Sequence, residues 1–451
     1  MATEHDFTKG KIAGPLLKFV MPVLLALILQ SLYGAVDLWV VGQYGTDADV
    51  SAVSTGSQLM MMVTGLVSSF AVGITVLVGQ QLGEGKPENC SAVIGTGIVL
   101  FAGASLLLSA FVPLLASPLV SLLNAPEEAH ELSRSYVAIC GAGTLVITAY
   151  NLIGSIFRGL GDSATPLVTV AIACAFNIIG DIVLAGVCRL GAVGAAIATV
   201  AAQLLSVVIS LVIIRRKKLP FTLKAKDIAL NRSYAARITR LGFPIALQDF
   251  LVGISFLVIL AIVNSLGLLV SAGVGVAEKV CAFIMLLPSA FGQAMAAFTA
   301  QNIGAKRYDR ARKALICAIS VSLAFGVAVF MLIFFRGDLP ARIFTSHAET
   351  IDIAAQYLKA YAIDCLLTSF LFCFIGFFNG LGYTRFVMWQ GIIGAFCIRI
   401  PVAFLMSRRV PVSLFLLGLS TPCSTVVQIV LCLLCFRKAQ REFGRLQPVT
   451  E

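Results

Sequence analysis

Long apolar stretches recur along the whole chain, separated by short polar joints. Twelve of them reach spanning length, for which about 20 residues suffice. They fall near residues 15–40, 53–80, 92–122, 132–157, 165–188 and 191–214. After a basic joint the others follow near 242–267, 270–300, 312–335, 355–379, 385–407 and 411–436. Several exceed the length needed, so they are expected to be long, tilted or bent. The predicted class is an all-α polytopic membrane protein with 12 transmembrane helices. Its expected divisions are 1–214, a basic cytoplasmic linker at 215–241, a second bundle at 242–436 and a cytoplasmic tail at 437–451.

Composition agrees with that pattern. Of 451 residues, 59% are hydrophobic and 12% charged, against about 45–50% and about 25% in soluble domains. One soluble core could not bury so much apolar surface. The apolar run after Lys18 is too long for a cleavable signal, and no small-residue cleavage site follows it. Cysteines such as Cys174, Cys281, Cys317, Cys373 and Cys397 lie inside apolar segments and read as small hydrophobes. The pair Cys432 and Cys435 has redox or zinc spacing but no second pair nearby, and it reads as packing.

Charge placement orients the bundle. With the N-terminus in the cytoplasm, 24 Lys and Arg residues fall inside and seven outside, leaving Lys279 and Arg399 within helices. Both termini are therefore expected to be cytoplasmic. The net charge of +11 is thus a topology signal, and no nucleic-acid partner is expected.

The two halves repeat. Pro22 opens a stretch ending in QQLGEGK (80–86), and Pro244 opens one ending in QNIGAKR (301–307). IGSIFRGLGD (153–162) is echoed by IGFFNGLGY (375–383). The offset is 221 to 222 residues throughout. Six helices per repeat give both halves one orientation, related by an axis along the membrane normal. No phosphate-binding GxxxxGK[ST], HExxH or GxSxG motif is present. His5, His130 and His347 are scattered over a terminus and loops. No enzyme, cofactor or resident metal is expected, and an ion gradient is the obvious energy source.

Charged groups within the hydrocarbon cost roughly 2.5–3.5 kcal/mol each on insertion scales. A chain that keeps several is usually using them. Asp37 lies in SLYGAVDLWVVG, Asn177 and Asp181 in the fifth apolar segment, and Thr199 in the sixth. The i, i+4 spacing sets Asn177 and Asp181 on one helix face. If these helices adjoin, the oxygens suit a hard monovalent cation such as Na+. They also suit a proton, because two close carboxylates cannot both stay ionised cheaply. Asn177 by itself reads as hydrogen-bonding glue between helices. In the second half, Asp249, Glu278, Asp364 and Arg399 form a looser polar set, open between a transport role and structural ion pairing. Pro22, on the helix that carries Asp37, reads as a hinge. Gln30, Tyr33 and Asp37 mark a polar stripe, and Met61 lies in a Met run. These are the substrate-lining candidates, although Met surfaces are more often core or lipid-facing.

These segments together give a resemblance. Pro22 with VDLWVVGQYG (36–45), QLGEGK, RGLGDSATP (158–166), NIIGD (177–181), GAVGAAIAT (191–199) and QNIGAKR resemble, in order and spacing, a multidrug and toxic compound extrusion (MATE) transporter of bacterial type. The resemblance covers essentially the full length. It implies two pseudo-twofold-related six-helix lobes in a V shape. It implies export of amphipathic, often cationic organic compounds against inward flow of Na+ or H+. In one bacterial branch, coupling positions match Asp37, Asn177, Asp181 and Thr199, the bending proline matches Pro22 and a substrate-lining glutamine matches Gln30. Another branch uses carboxylates on the seventh and tenth helices, where Asp249 and Asp364 stand in different local contexts. The expected partners are small organic molecules and the lipid of the plasma (inner) membrane, with the protein a monomer. The rival class is a lipid-linked oligosaccharide flippase, which calls for cavity cations; the first six segments hold no mid-membrane Lys or Arg.

Overall fold

The protein is described from a computed structural model covering residues 7–217 and 219–446. Residues 1–6, 218 and 447–451, and with them His5 and the end of the expected tail, lie outside the described residues. Among the described residues all regular structure is helical. Eleven helices are long and apolar enough to cross a membrane, and a pair bent by 53° makes a twelfth span. In chain order they are α1 (Ala13–Tyr44), α2 (Asp47–Gly83), α3 (Glu88–Leu114), the bent α4 (Glu127–Ala142 with Thr144–Gly159), α5 (Ala164–Val187) and α6 (Gly191–Arg216). Then come α7 (Arg232–Asn264), α8 (Leu268–Gly304), α9 (Tyr308–Arg336), α10 (Ala348–Leu381), α11 (Thr384–Ser407) and α12 (Leu414–Glu442). The twelve-span expectation matches this order.

The chain forms two compact units. Among the described residues, one consists of 7–9 and 17–246, the other of 10–16 and 247–446. The core of the first draws Val41 from α1, Val53 from α2, Tyr136 and Ile147 from α4, and Ala192 and Ala195 from α6. The core of the second draws Ile259 from α7, Val274 from α8, Ile333 from α9, Tyr357 from α10 and Ala403 from α11. All twelve cysteines are free thiols.

Three features depart from the apolar pattern. First, helix α7 starts at Arg232, ten residues before its apolar stretch. Asn231 caps it: its Oδ1 accepts from the backbone N–H of Ser233 at 3.0 Å and of Tyr234 at 3.3 Å. Such a cap satisfies donors that the first turn leaves free. Ile238 on this polar stretch is fully buried, which gives the extension its packing. Upstream, Thr96 on α3 ties the joint down, its hydroxyl donating to the Ala229 carbonyl and accepting from the Asn231 N–H, each at 3.3 Å. Second, α4 bends between Ala142 and Thr144, at Gly143, the kind of residue at which helices kink. Third, α5 and α11 each contain a π-helical turn, Ile182–Val187 and Ile393–Arg399. Such wide turns recur at functional sites; each here adjoins a buried charged residue, Asp181 or Arg399.

Candidate functional site

Asp37 on α1, Asn177 and Asp181 on α5, and Thr199 on α6 meet inside the first unit, all four buried. The Asp37 and Asp181 carboxyl groups stand within hydrogen-bonding reach of one another. With its nitrogen turned inward, the Asn177 amide donates to Asp37 Oδ1 at 2.8 Å and to Asp181 Oδ2 at 3.3 Å. The Thr199 hydroxyl donates to Asp37 Oδ2 at 3.4 Å. Two carboxyl groups, an amide and a hydroxyl thus share one small volume, with Tyr33, Tyr136 and Cys140 close around Asp37.

The local sequence explains the convergence. One helical turn separates Asn177 from Asp181, so both side chains leave α5 together. The start of α6 is fixed by Asp49 at the start of α2. Thr46 and Asp49 form a reciprocal capping box, with Asp49 N–H donating to Thr46 Oγ1 at 3.2 Å and Thr46 N–H to Asp49 Oδ2 at 2.9 Å. The other Asp49 oxygen accepts from Ala192 N–H at 2.9 Å. Gly191 sits beneath that carboxylate at φ +50°, where a side chain would overlap it. Further along, Gly194 lies against the backbone of Leu184 and Ala185 in the π-helical turn. This close approach seats α6 on the segment that directly follows Asp181, and it carries Thr199 to Asp37.

The second unit builds a different cluster. Arg399, at the end of the α11 π turn, is 5% exposed. Its Nη1 donates to Ser255 Oγ on α7 at 3.1 Å, and its guanidinium lies over the Phe256 ring at 4.4 Å from the centroid. Asp364 on α10 is buried, with the Thr425 hydroxyl in reach. Glu278 on α8 is half-buried, while Asp249 and Lys279 are exposed. Among the described residues, no three or more His, Cys, Asp or Glu side chains are arranged to hold a metal ion.

The model of the MatE family matches this chain twice, over residues 22–183 and 244–405. The chain belongs to the MatE family. Its members are transporters rather than enzymes, and this MatE chain is a multi-pass membrane protein. It is 26% identical to the probable multidrug resistance protein YoeA of Bacillus subtilis (strain 168), over 92% of this chain and 91% of that one. To the probable multidrug resistance protein YpnP of the same strain it is 29% identical, over 89% and 90%. A solved outward-facing multidrug resistance MATE transporter of the MOP superfamily matches with a TM-score of 0.92, at 18% identity, over 99% of each chain. At that identity the likeness speaks for the fold.

In this MatE chain the four residues expected to gather do so. Gln30, seven residues before Asp37 on α1, donates from Nε2 to the Tyr150 hydroxyl on α4 at 2.8 Å. Tyr33 lies with the acid cluster. Met61 is 78% exposed on α2, and Pro22 lies inside the continuous helix α1. In the second unit Asp364 and Arg399 are both buried, and Asp249 is exposed. Sequence reasoning missed Tyr136, Tyr150, Ser255 and Phe256. Tyr150 shares the fourth apolar segment with ordinary hydrophobic neighbours, and no spacing marks it as the partner of Gln30.

Proposed function

We propose that this protein exports amphipathic, cationic organic compounds in exchange for inward Na+ or H+, by alternating access. The observation that carries the reading is the burial of Asp37 and Asp181 within hydrogen-bonding reach, with the Asn177 amide across both. Two buried carboxylates repel unless a proton or a cation is shared between them. Without a bound cation, the amide nitrogen would supply partial positive charge to both carboxyl groups. When Na+ enters, the amide turns its oxygen inward and joins the carboxylates and the Thr199 hydroxyl as ligands, a hard-oxygen set suited to that ion. A proton shared by the carboxyl groups would satisfy the same electrostatics.

Ion capture drives transport only if the two access states hold the ion with different affinity. Asp37 lies on the same helix as Pro22, where the missing N–H leaves the helix weaker. A change of charge at Asp37 then biases the bend of α1, and Gln30 on the same helix, bonded to Tyr150 of α4, moves with it. The multidrug resistance names of the relatives support the cargo class.

The test is transport in proteoliposomes under separately imposed Na+ and H+ gradients. One gradient should drive uptake or efflux of a fluorescent organic cation. Asp37→Asn and Asp181→Asn should each abolish the driven flux in folded protein. Driven flux at the parent rate in both variants would refute the site.

A further inference from the structure

The two repeats tie down corresponding corners with different chemistry. RGLGD (158–162), between α4 and α5, corresponds to NGLGY (379–383), between α10 and α11. Both corners turn on a left-handed glycine, Gly161 at φ +81° and Gly382 at φ +83°. The next residue in each reaches the end of the last helix of its own unit. Asp162 accepts from Lys217, at the end of α6, at 2.7 Å. Its counterpart Tyr383 instead donates from its hydroxyl to Glu442 Oε2 on α12 at 2.8 Å. The first tie pairs an acid with a base. The second joins a carboxylate to a neutral phenol, and the bases around it keep their charge.

Those bases are Arg385 on α11 and Arg437, Lys438 and Arg441 on α12, all exposed. Among the described residues, none of the four is in an ion pair. Lys438 stands one turn from Glu442, a spacing that suits pairing, yet the carboxylate is turned to Tyr383. The end of α12 is also packed in place. Ala439 is buried, and the Phe436 ring meets those of Phe374 and Phe377 edge-on, at 5.7 and 5.6 Å between centroids. Helices α11 and α12 pack on one another, and on each the exposed face changes from apolar to basic within a turn. On α12, exposed Leu433 and Leu434 are followed four residues later by Arg437 and Lys438. On α11, Arg385 precedes exposed Trp389 by four residues and exposed Ile393 by eight.

We propose that the edge of the second unit formed by α11 and α12 binds an anionic phospholipid, its headgroup held by Arg385, Arg437, Lys438 and Arg441 and its chains against the exposed apolar faces that adjoin them. An excess of Lys and Arg on one side orients a bundle, but orientation does not call for a bonded corner that fixes them in place. Clusters of four or more bases beside a spanning helix suit anionic headgroups, and tryptophan favours the same interfacial level. A soluble anion would meet the charge and gain nothing from the apolar faces next to it. The inference stands apart from the proposed ion exchange in the first unit.

The chain has two tryptophans, Trp39 and Trp389, so Trp39→Phe leaves Trp389 as a reporter beside the site. The full chain with that change is reconstituted into phosphatidylcholine vesicles. Brominated phosphatidylglycerol should quench Trp389 about threefold or more efficiently than brominated phosphatidylcholine at the same low mole fraction. Raising NaCl to about 0.5 M should remove most of the preference, whereas millimolar inorganic phosphate should leave it intact. Arg385→Gln, Lys438→Gln and Arg441→Gln together should abolish it. Tyr383→Phe keeps every charge and should weaken it by loosening the end of α12. Equal quenching by the two lipids, or a preference that survives salt or the triple change, would overturn the proposal. So would competition by inorganic phosphate, which marks a soluble-anion site, or an undiminished preference in Tyr383→Phe, which marks diffuse surface charge. The salt and phosphate arms need no variant beyond the reporter, so they decide even where a substituted chain folds poorly.

Discussion

Asp37→Asn keeps the size of the side chain and removes one charge from the first-unit site. In the structure Asp37 takes the Asn177 amide at 2.8 Å and the Thr199 hydroxyl at 3.4 Å, with the Asp181 carboxyl in reach. Two unit charges about 4 Å apart interact by about 4 kcal/mol at an effective dielectric of about 20. A bound Na+ loses about that much attraction when one carboxylate becomes an amide, equivalent to roughly 10³-fold weaker binding. The empty site gains in turn, because a repulsion of the same size disappears when both groups are ionised. Thermal unfolding with and without Na+ at alkaline pH reads both effects. At 100 times its Kd, an ion stabilises the parent protein by about 2.7 kcal/mol; the variant at that concentration should gain almost nothing. Its ion-free Tm should lie above that of the parent. A variant that binds Na+ within tenfold of the parent, or whose ion-free form is less stable, would show that the carboxylates do not form one charge-sharing site. An outcome in which Na+ stabilises neither protein, while lowering the pH stabilises the parent alone, assigns the site to the proton.

Three further outcomes follow from the packing. Gly191→Ala should destabilise the first unit by about 1–2 kcal/mol for the left-handed backbone alone, with more from overlap with Asp49; thermal unfolding measures it, and an unchanged Tm would contradict the close approach. Asn231→Ala should cost about 1 kcal/mol at the start of α7, seen as faster amide hydrogen exchange over residues 233–236 with the rest of the helix unaffected. At Asp162, between α4 and α5, burial pushes the carboxyl pKa up, but bonds from Lys217 at 2.7 Å and from Thr165 outweigh it and leave the pKa below the ordinary value. The stability this contributes is complete above the ordinary carboxylate pKa and is lost as pH falls through the lowered one. Lys217→Met should diminish that acid-dependent component of Tm, and an identical pH profile would count against the pairing.

The sequence determined the spans, their number and the repeat. A bilayer demands apolar stretches of fixed minimum length with every backbone group bonded inside the helix, so length and composition suffice to mark them. It also singled out polar groups costly inside a membrane, Asp37, Asp181, Asp249, Glu278, Lys279, Asp364 and Arg399, and the spacing of Asn177 and Asp181 set them on one face; of these, Asp249 and Lys279 turn out to be exposed. Only the tertiary structure decided which of these groups meet. In a spanning helix the faces toward lipid and toward neighbouring helices are both apolar, so the pattern carries little information on partners. Neighbours are chosen by close backbone approach, as where Gly194 seats α6 on the π turn after Asp181, and that fit depends on both surfaces at once. For the same reason no local signal paired Gln30 with Tyr150 or laid Arg399 across Phe256 beside Ser255. The early start of α7 was hidden too, because the burial of Ile238 within a basic stretch exists only once the rest of the first unit is there to cover it.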